Sequence, residues 1–281
     1  MDANQLLKEN YARRLEPLRT CHDQELAVSL ARDAGELLVE LRQHAAVDRL
    51  SRASLKAMGD AASQAFLDAA LKRERPDDAV LSEEAADNPA RLLADRVWII
   101  DPLDGTREFS EGRPDWAVHV ALWELGELAA GAVALPGIGC MIGDGRRQPR
   151  SRQSGDSLRI AVSRTRPPAF AEQMAFELGA ELVPMGSAGY KTWAVTTGEV
   201  DAYVHTGGQY EWDSAAPVFA ARRAGMQASR VDGSRLPYNQ ASPYLPDLLV
   251  CRPEVSAQLL RTIRHADGVN GATPKAHRTG A

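Results

Sequence analysis

Long hydrophobic runs and a cysteine framework are the features that this sequence most clearly lacks. No stretch approaches the roughly 18 consecutive apolar residues of a membrane-spanning helix, so the sequence predicts no membrane association. The N-terminal segment MDANQLLKENYARRLEPLRT is charged and has no apolar core, which argues against a signal peptide and predicts a cytoplasmic protein. Three cysteines (Cys21, Cys140 and Cys251) are too few and too widely spaced for a disulfide framework.

An excess of positive charge is also missing. The chain has 33 Lys and Arg against 38 Asp and Glu, a net charge of −5, so we expect no broad nucleic-acid-binding face. An anionic small molecule would have to bind at a local site, with metal ions supplying positive charge. At 281 residues and 44% hydrophobic content, the sequence predicts one large globular domain or two that share an interface.

Hydrophobic periodicity gives the order of the elements. From Asp23 a leucine stripe predicts a helix, and a second helix is predicted from about Asp60 to Arg73, ending before Pro76. Antiparallel strands are predicted around Gly126, and strands alternate with helices beyond the loop predicted at residues 137–156, which indicates an α/β fold. The sequence divides into an N-terminal extension at 1–22, an α+β subdomain at 23–137, a loop at 138–157, an α/β subdomain at 158–267 and a tail at 268–281.

The segment RVWIIDPLDGTREF, at residues 96–109, carries the first sign of chemistry. Its apolar start predicts a buried strand, and Pro102, which has no N–H, is expected to take the chain out of the ladder. Such a turn can aim Asp101 and Asp104 into one pocket and frees the carbonyl of Leu103.

Gly105 and Thr106 then open a short helical turn whose free N–H groups suit an anion. Hard oxygen ligands beside an anion-binding turn indicate Mg²⁺ bridging to a phosphate. An Asx-type turn with surface carboxylates is the simpler alternative, and it accounts for one aspartate but not for both with Gly-Thr behind them.

Three other motifs are excluded by their spacing. An EF-hand loop starting at Asp101 would need ligands where Leu103 and Gly105 stand. A phosphoaspartyl motif of the form Asp-x-Asp-x-Thr has its carboxylates two residues apart, not three. The segment GSAGYKT is not a P-loop, because Tyr190 occupies the position of the glycine that precedes the lysine.

Several motifs together resemble one known family. WIIDPLDGTREF resembles the first signature of the inositol monophosphatase superfamily, EWDSAAPVFAARRAG its second, and LSEEA its Gly-Glu-Glu segment. The match is most similar to bacterial, especially actinobacterial, CysQ-type 3′(2′),5′-bisphosphate nucleotidases. The resemblance implies a layered αβαβα sandwich, two or three Mg²⁺ ions that Mn²⁺ can replace, sensitivity to Li⁺, a homodimer, and 3′-phosphoadenosine 5′-phosphate as the small-molecule phosphate ester substrate.

The resemblance also assigns metal ligands. It implies that Glu83 is a ligand that also takes part in catalysis and that Asp101 bridges two ions. The Leu103 carbonyl would be a further ligand, and Asp104 and Asp213 would hold the second ion. The alternative for Asp213 alone is a helix N-cap, which is compatible with ligation.

Asp60 is implied to order the attacking water together with the Thr106 hydroxyl, and it can act as general base. Here the sequence departs from the family, because Met58 and Gly59 precede Asp60 where the family has threonine. No Cys, Ser or His stands in a nucleophile setting, so we expect direct attack by water.

Substrate contacts are predicted from residue type and from the resemblance of GSAGYK to a segment of the nucleotidases. The candidates are Gly105, Thr106, Arg107, Ser187, Lys191, Arg164 and Asp213, with Arg166 beside them. For each cation a solvated surface position is an equal alternative, and Trp212 is more typical of packing than of base stacking. His119 receives no role from the sequence, and Glu84 is predicted to be a surface or supporting acid.

Two rival functions remain open at this point. Inositol 1-phosphate or fructose 1,6-bisphosphate would use the same catalytic motifs. A non-catalytic metal-binding regulatory module would be marked by loss of a carboxylate or of the threonine, and Glu83, Asp101, Asp104, Thr106 and Asp213 are all present.

Overall fold

The computed structural model describes residues 22–47, 50–145 and 157–266. In this part of the chain the predicted helices and strands occur in the predicted order, and two short strands that were not predicted are added at Cys140–Ile142 and Gln227–Ser229. The helices are α1 (Asp23–Val47), α2 (Arg52–Glu74), α3 (Thr106–Ser110), α4 (Ala171–Leu178), α5 (Ala188–Thr197), α6 (Glu211–Arg223) and α7 (Pro253–Ala266). The strands are β1 (Ala79–Ser82), β2 (Arg96–Asp104), β3 (Ala117–Glu124), β4 (Glu127–Leu135), β5 (Cys140–Ile142), β6 (Arg159–Ser163), β7 (Glu181–Met185), β8 (Ala202–Tyr210), β9 (Gln227–Ser229) and β10 (Tyr244–Cys251).

The strands form two five-stranded mixed sheets. The first sheet has the order β1-β2-β3-β4-β5, and only β1 and β2 are parallel in it. The second has the order β7-β6-β8-β10-β9, with β6 parallel to both neighbours and β10 antiparallel to both of its own. Each sheet therefore combines parallel crossovers with antiparallel hairpins.

Three hydrophobic cores separate the layers. α1 and α2 pack on one face of the first sheet, α5 and α6 lie between the two sheets, and α4 and α7 cover the far face of the second. This arrangement confirms the predicted αβαβα sandwich. The subdomain boundaries at residues 23–137 and 158–267 stay a prediction.

Helix α1 begins at Asp23 as predicted, and its leucine stripe is buried in the first core. Helix α2 begins at Arg52, eight residues before the predicted start at Asp60. The cause is Ser51, whose hydroxyl accepts the Ser54 N–H at 3.1 Å and caps the helix there. Asp60 consequently lies in the middle of a helix.

Strand β2 corrects a second prediction. Pairing with β3 is interrupted between Asp101 and Asp104 by a bulge, and it resumes where Asp104 faces Ala117. Pro102 is tolerated because the bulge leaves its position outside the regular ladder. The chain therefore stays in the sheet, and the bulge turns the two carboxylates into the site.

The predicted loop at residues 137–156 is partly a strand, since β5 pairs with β4 within it. The remainder, from residue 146, lies outside the described residues, as do Cys21, the N-terminal extension and the tail. Cys140 and Cys251 are free thiols. No helix in the described ranges has the length and apolar content needed to cross a membrane.

Candidate active site

Three aspartates from two elements converge beneath a cavity between the sheets. Asp101 and Asp104 come from the bulged end of β2, and Asp213 from the first turn of α6. One carboxylate oxygen from each lies within 4.8 Å of those of the other two. Asp101 and Asp104 are only 1% and 8% exposed. Three clustered carboxylates, two of them this deeply buried, are a donor set that suits a divalent cation.

Local backbone geometry fixes the two aspartates of β2. The Asp101 carboxylate accepts the Leu103 N–H at 3.0 Å, which closes the turn around Pro102. Gly105 follows with φ +89°, and a Cβ there would lie 3.3 Å from the Asp115 carbonyl oxygen and the Trp116 Cα. Glycine is favoured for both reasons, because a side chain would strain the backbone and crowd the segment that precedes β3.

Asp213 lies in the first turn of a helix and faces the cluster. Its Oδ2 accepts the Tyr210 N–H at 2.7 Å, which orients the carboxylate at the start of α6. Tyr210 is the N-cap and Asp213 is the third residue of α6, so the predicted alternative of an N-cap at Asp213 is wrong, although its carboxylate stabilises the start of the helix.

The electrostatics of the cluster support a cation site. Burial, followed by the charges of Glu83 and Asp104, raises the pKa of Asp101 well above its usual range. Burial and the charge of Asp104 likewise raise the pKa of Asp213 to about 7. Burial opposes ionisation of Asp104 as well, but His119 and the hydrogen bond from Ser187 outweigh it and lower that pKa to about 2. A bound cation would relieve this mutual repulsion.

A cavity of about 520 Å³ opens above the aspartates. Glu83 lines it at the end of β1 but is not part of the group whose oxygens lie within 4.8 Å of one another. Glu83 is exposed as a residue, yet its carboxyl contacts Asp101, and desolvation together with the Asp104 and Glu84 charges raises its pKa. The structure thus places Glu83 at the rim of the cluster. Glu84 is exposed beside it.

Asp60 and Thr106 meet at the edge of this cavity, which Thr106 lines. The Thr106 hydroxyl donates to the Leu103 carbonyl at 3.2 Å and is also within hydrogen-bonding range of Asp60. Burial and the charge of Glu84 raise the pKa of Asp60 to about 6. Asp60 itself does not line the cavity, whereas Lys56, one helical turn earlier, does. The predicted pair is therefore present despite the altered sequence before Asp60.

Ser187 and Lys191 are close to the cluster but are engaged with protein groups. The Ser187 hydroxyl donates to Asp104 at 2.6 Å and caps α5 by accepting the Tyr190 N–H. Lys191 is 4% exposed, and its Nζ donates to the carbonyls of Gly186 and Ser187 at 3.0 and 2.6 Å. Their polar ends hold the turn before α5, and contact of either residue with phosphate stays a prediction.

Arg164 is also committed elsewhere. Its guanidinium pairs with Glu108 at 2.7 Å and Glu111 at 2.8 Å, so its charge is shared with two carboxylates, and its contact with phosphate stays a prediction. Arg166 is exposed, lines the same cavity, and makes no side-chain ion pair or hydrogen bond with any described residue. Arg107 lies at the cavity lip and is exposed. Of the two arginines after β6, Arg166 is the one whose charge is available.

His119 is the residue that sequence reasoning missed. It is fully buried on β3, with Nε2 3.2 Å from Asp104 and Nδ1 4.0 Å from Asp101. A single polar residue in a strand gives no signal of such partners. Trp212 stacks on Tyr210 at 4.8 Å and does not line the cavity, as the packing alternative predicts.

Curated relatives cover most of the chain. A 3′-phosphoadenosine 5′-phosphate phosphatase of Mycobacterium leprae is 50% identical over 255 residues, covering 86% of this chain and 93% of the relative. The protein of the same description from Mycobacterium tuberculosis is 51% identical over 247 residues, covering 83% and 90%. The 3′(2′),5′-bisphosphate nucleotidase CysQ of Escherichia coli K12 is 29% identical, covering 77% and 94%.

Solved structures show the same fold. Inositol monophosphatase II from Staphylococcus aureus superposes with a TM-score of 0.69 at 20% identity, covering 88% of this chain and 98% of its own. The inositol monophosphatase from Anabaena gives 0.69 at 22%, covering 86% and 95%. The family model described as the inositol monophosphatase family matches residues 22–267. With the five-layer fold and the acidic cluster already in place, this chain belongs to the inositol monophosphatase family.

Proposed function

We propose that this chain is a Mg²⁺-dependent phosphomonoesterase that removes the 3′-phosphate of 3′-phosphoadenosine 5′-phosphate, giving AMP and phosphate. The observation that carries the proposal is the acidic cluster of Asp101, Asp104 and Asp213 at the foot of a cavity. The substrate is supported by the two mycobacterial relatives, at 50% and 51% identity, that are described as phosphatases for this compound. The corresponding 5′-phosphosulfate is a second substrate of the same type.

Asp101, Asp104, Asp213 and Glu83 would hold the ions together with the Leu103 carbonyl. Bound divalent cations supply a water of lowered pKa and neutralise charge on phosphoryl and leaving oxygens. We propose two or three Mg²⁺ ions, replaceable by Mn²⁺, and inhibition by Li⁺. The all-oxygen donor set supports this choice of metal.

Asp60 and Thr106 would orient the attacking water and accept its proton. Asp60, with its pKa raised to about 6, is largely ionised at neutral pH and can accept the proton of the attacking water. The Thr106 hydroxyl, fixed between Asp60 and the Leu103 carbonyl, would orient that water. The backbone N–H groups of Gly105 and Thr106, with Arg107 at the lip, would hold the phosphate being transferred.

The second phosphate of the substrate needs a cation at a distance from the metal cluster. Arg166 meets that requirement, because it lines the cavity and its guanidinium is not paired with a described residue. Arg164 would instead hold Glu108 in the cavity wall. We therefore assign recognition of the 5′-phosphate to Arg166, since arginine binds phosphate through a fork of N–H donors.

Phosphate release from three substrates tests this function. 3′-phosphoadenosine 5′-phosphate, inositol 1-phosphate and fructose 1,6-bisphosphate are compared at equal concentrations, with Mg²⁺ titrated and Li⁺ added. The proposal expects the nucleotide to be preferred, with Mg²⁺ dependence and Li⁺ inhibition. Preference for inositol 1-phosphate or fructose 1,6-bisphosphate would overturn the proposed substrate while retaining the metal site, and no turnover of any of the three would support a regulatory module.

We further propose that the chain is a homodimer, as the family resemblance implies. Light scattering coupled to size-exclusion chromatography tests this directly. A mass of one chain across the working concentration range would contradict it.

A further inference from the structure

His119 is a buried group that the proposed chemistry leaves without a role. Its side chain is 0% exposed on β3, in the layer between the first sheet and helices α5 and α6. Nδ1 lies 3.1 Å from the Trp212 carbonyl oxygen, and Nε2 lies 3.2 Å from Oδ2 of Asp104. Asp101 Oδ2 is 4.0 Å from Nδ1. One imidazole ring therefore contacts the segments that carry all three clustered aspartates.

The hydrogen-bonding partners define the orientation of the ring. The Trp212 carbonyl oxygen can only accept, so Nδ1 carries a proton and donates to it, and because the Asp104 carboxylate also can only accept, the contact at Nε2 requires a second proton on the ring. Within the described residues Nε2 has no hydrogen bond of good direction, which makes the neighbouring Asp104 carboxylate its available polar partner.

Gly189 gives independent evidence that this ring position is built into the fold. A Cβ on Gly189 would lie 2.4 Å from Nε2 of His119, so only glycine leaves room for the ring. The Gly189 N–H donates to Asp104 Oδ2 at 2.9 Å. The start of α5 and the imidazole thus approach the same carboxylate oxygen.

We propose that His119 is a positioning residue for the metal-binding carboxylates. It orients Asp104 through Nε2, and through the Trp212 carbonyl it fixes the first turn of α6, which carries Asp213. It has no contact with substrate in this role. The inference rests on the metal site of the proposed function, but it does not depend on which phosphate ester is hydrolysed.

Loss of a group that orients ligating carboxylates weakens metal binding by roughly 10–100-fold in known sites. Metal-free protein, without substrate, is titrated with Mn²⁺ while the electron paramagnetic resonance signal of the free ion is followed. We expect His119→Leu to weaken Mn²⁺ binding by about 10-fold or more, with a similar melting temperature in EDTA. His205→Leu is the matched control, because His205 is also buried and lines the same cavity, while its Nε2 lies 2.9 Å from the Gly207 carbonyl oxygen and forms no ion pair with a clustered aspartate among the described residues; the Mn²⁺ affinity of this variant should not change.

Two conservative variants distinguish the contact with Asp104 from the contact with the Trp212 carbonyl. His119→Gln can place an amide near the Nε2 position, whereas His119→Asn reaches only the Nδ1 position beside Trp212. We expect His119→Gln to retain more Mn²⁺ affinity than His119→Asn. This comparison tests the positioning role even if His119→Leu fails to fold. Wild-type affinity in both, or an equal loss in His205→Leu, would overturn the proposal. Absence of phosphatase activity in the wild type would not affect this readout.

Discussion

The Ser187 hydroxyl lies 2.6 Å from Oδ2 of Asp104, so a residue at the start of α5 holds a carboxylate that belongs to β2 of the first sheet. Ser187 has φ +45°, a conformation that non-glycine residues rarely adopt. Lys191 holds the same turn through the Ser187 carbonyl at 2.6 Å. Lys191 therefore holds the strained turn from within α5, and the Ser187–Asp104 hydrogen bond joins the turn to the proposed metal site.

Ser187→Ala should weaken both helix and metal site. The substitution removes the N-cap of α5 and the donor to Asp104, so we expect a stability loss of about 1 kcal/mol and a several-fold rise in the Mg²⁺ concentration for half-maximal rate. Ser51→Ala is the matched control, since it removes the N-cap of α2 and contacts no clustered aspartate. It should reduce stability similarly and leave the Mg²⁺ requirement unchanged. An unchanged Mg²⁺ requirement in Ser187→Ala would contradict this link.

Asp60→Asn should separate proton transfer from metal binding. Removing a general base costs roughly 10²–10⁴-fold in rate, whereas Mn²⁺ affinity should stay near that of the wild type because Asp60 lies behind Thr106. The acid limb of kcat/KM, expected near the Asp60 pKa of about 6, should also disappear. Asp68→Asn on the same helix is the control, because Asp68 pairs only with Lys72 at the surface. A wild-type rate for Asp60→Asn would remove Asp60 from the mechanism.

Arg166→Ala should change selectivity between nucleotides. A charged hydrogen bond contributes about 1.5–3 kcal/mol, so kcat/KM for 3′-phosphoadenosine 5′-phosphate should fall by roughly 10–100-fold. Hydrolysis of 3′-AMP, which has no 5′-phosphate, should change little. Arg164→Ala should lower both rates together, because it releases Glu108 and Glu111. Equal losses for both nucleotides in Arg166→Ala would show that this residue does not bind the second phosphate.

The sequence could predict the aspartates because their signals are local. A buried apolar strand, a proline and Gly-Thr identify Asp101 and Asp104, whereas Asp213 was assigned through the resemblance of EWDSAAPVFAARRAG to the family's second signature. The alternation of strands and helices predicts an α/β fold, while the five layers followed from the family resemblance. The bulge that keeps Asp104 in β2 was not predicted, because it depends on pairing with Ala117 of the neighbouring strand β3.

The remaining features depend on partners distant in sequence. From the sequence Arg164 has no evident carboxylate partner, whereas in the fold Glu108 lies 2.7 Å from its guanidinium. From the sequence Lys191 is a candidate phosphate ligand, and only the folded structure shows that its ammonium donates to the carbonyls of Gly186 and Ser187. His119 lies on a strand whose neighbours on α5 and α6 come from 70 to 93 residues away. Tertiary structure decides each of these roles, and residue type alone does not.

Mg²⁺ should stabilise the protein more at pH 8 than at pH 5.5. In the metal-free fold the pKa of Asp213 and that of Glu83 are both raised to about 7, and burial raises that of Asp101 well above its usual range. Because these values exceed those of the unfolded chain, the stability that the protonated groups contribute is present at low pH and is lost as pH rises through about 7. At pH 5.5 a cation must displace those protons, whereas at pH 8 it meets ionised, mutually repelling carboxylates.

The measurement is the rise in melting temperature caused by a fixed Mg²⁺ concentration at each pH, with EDTA-treated protein as the reference. Comparing each pH with its own reference cancels the pH-dependent stability contributed by groups that do not contact the metal. His205 is one of these groups, and burial lowers its pKa to about 4. Asp213→Asn removes one of the titrating ligands, so its Mg²⁺-dependent shift should be smaller and should vary less with pH. Equal shifts at both pH values in the wild type would mean that Mg²⁺ does not bind among these carboxylates, because binding there must compete with their protons.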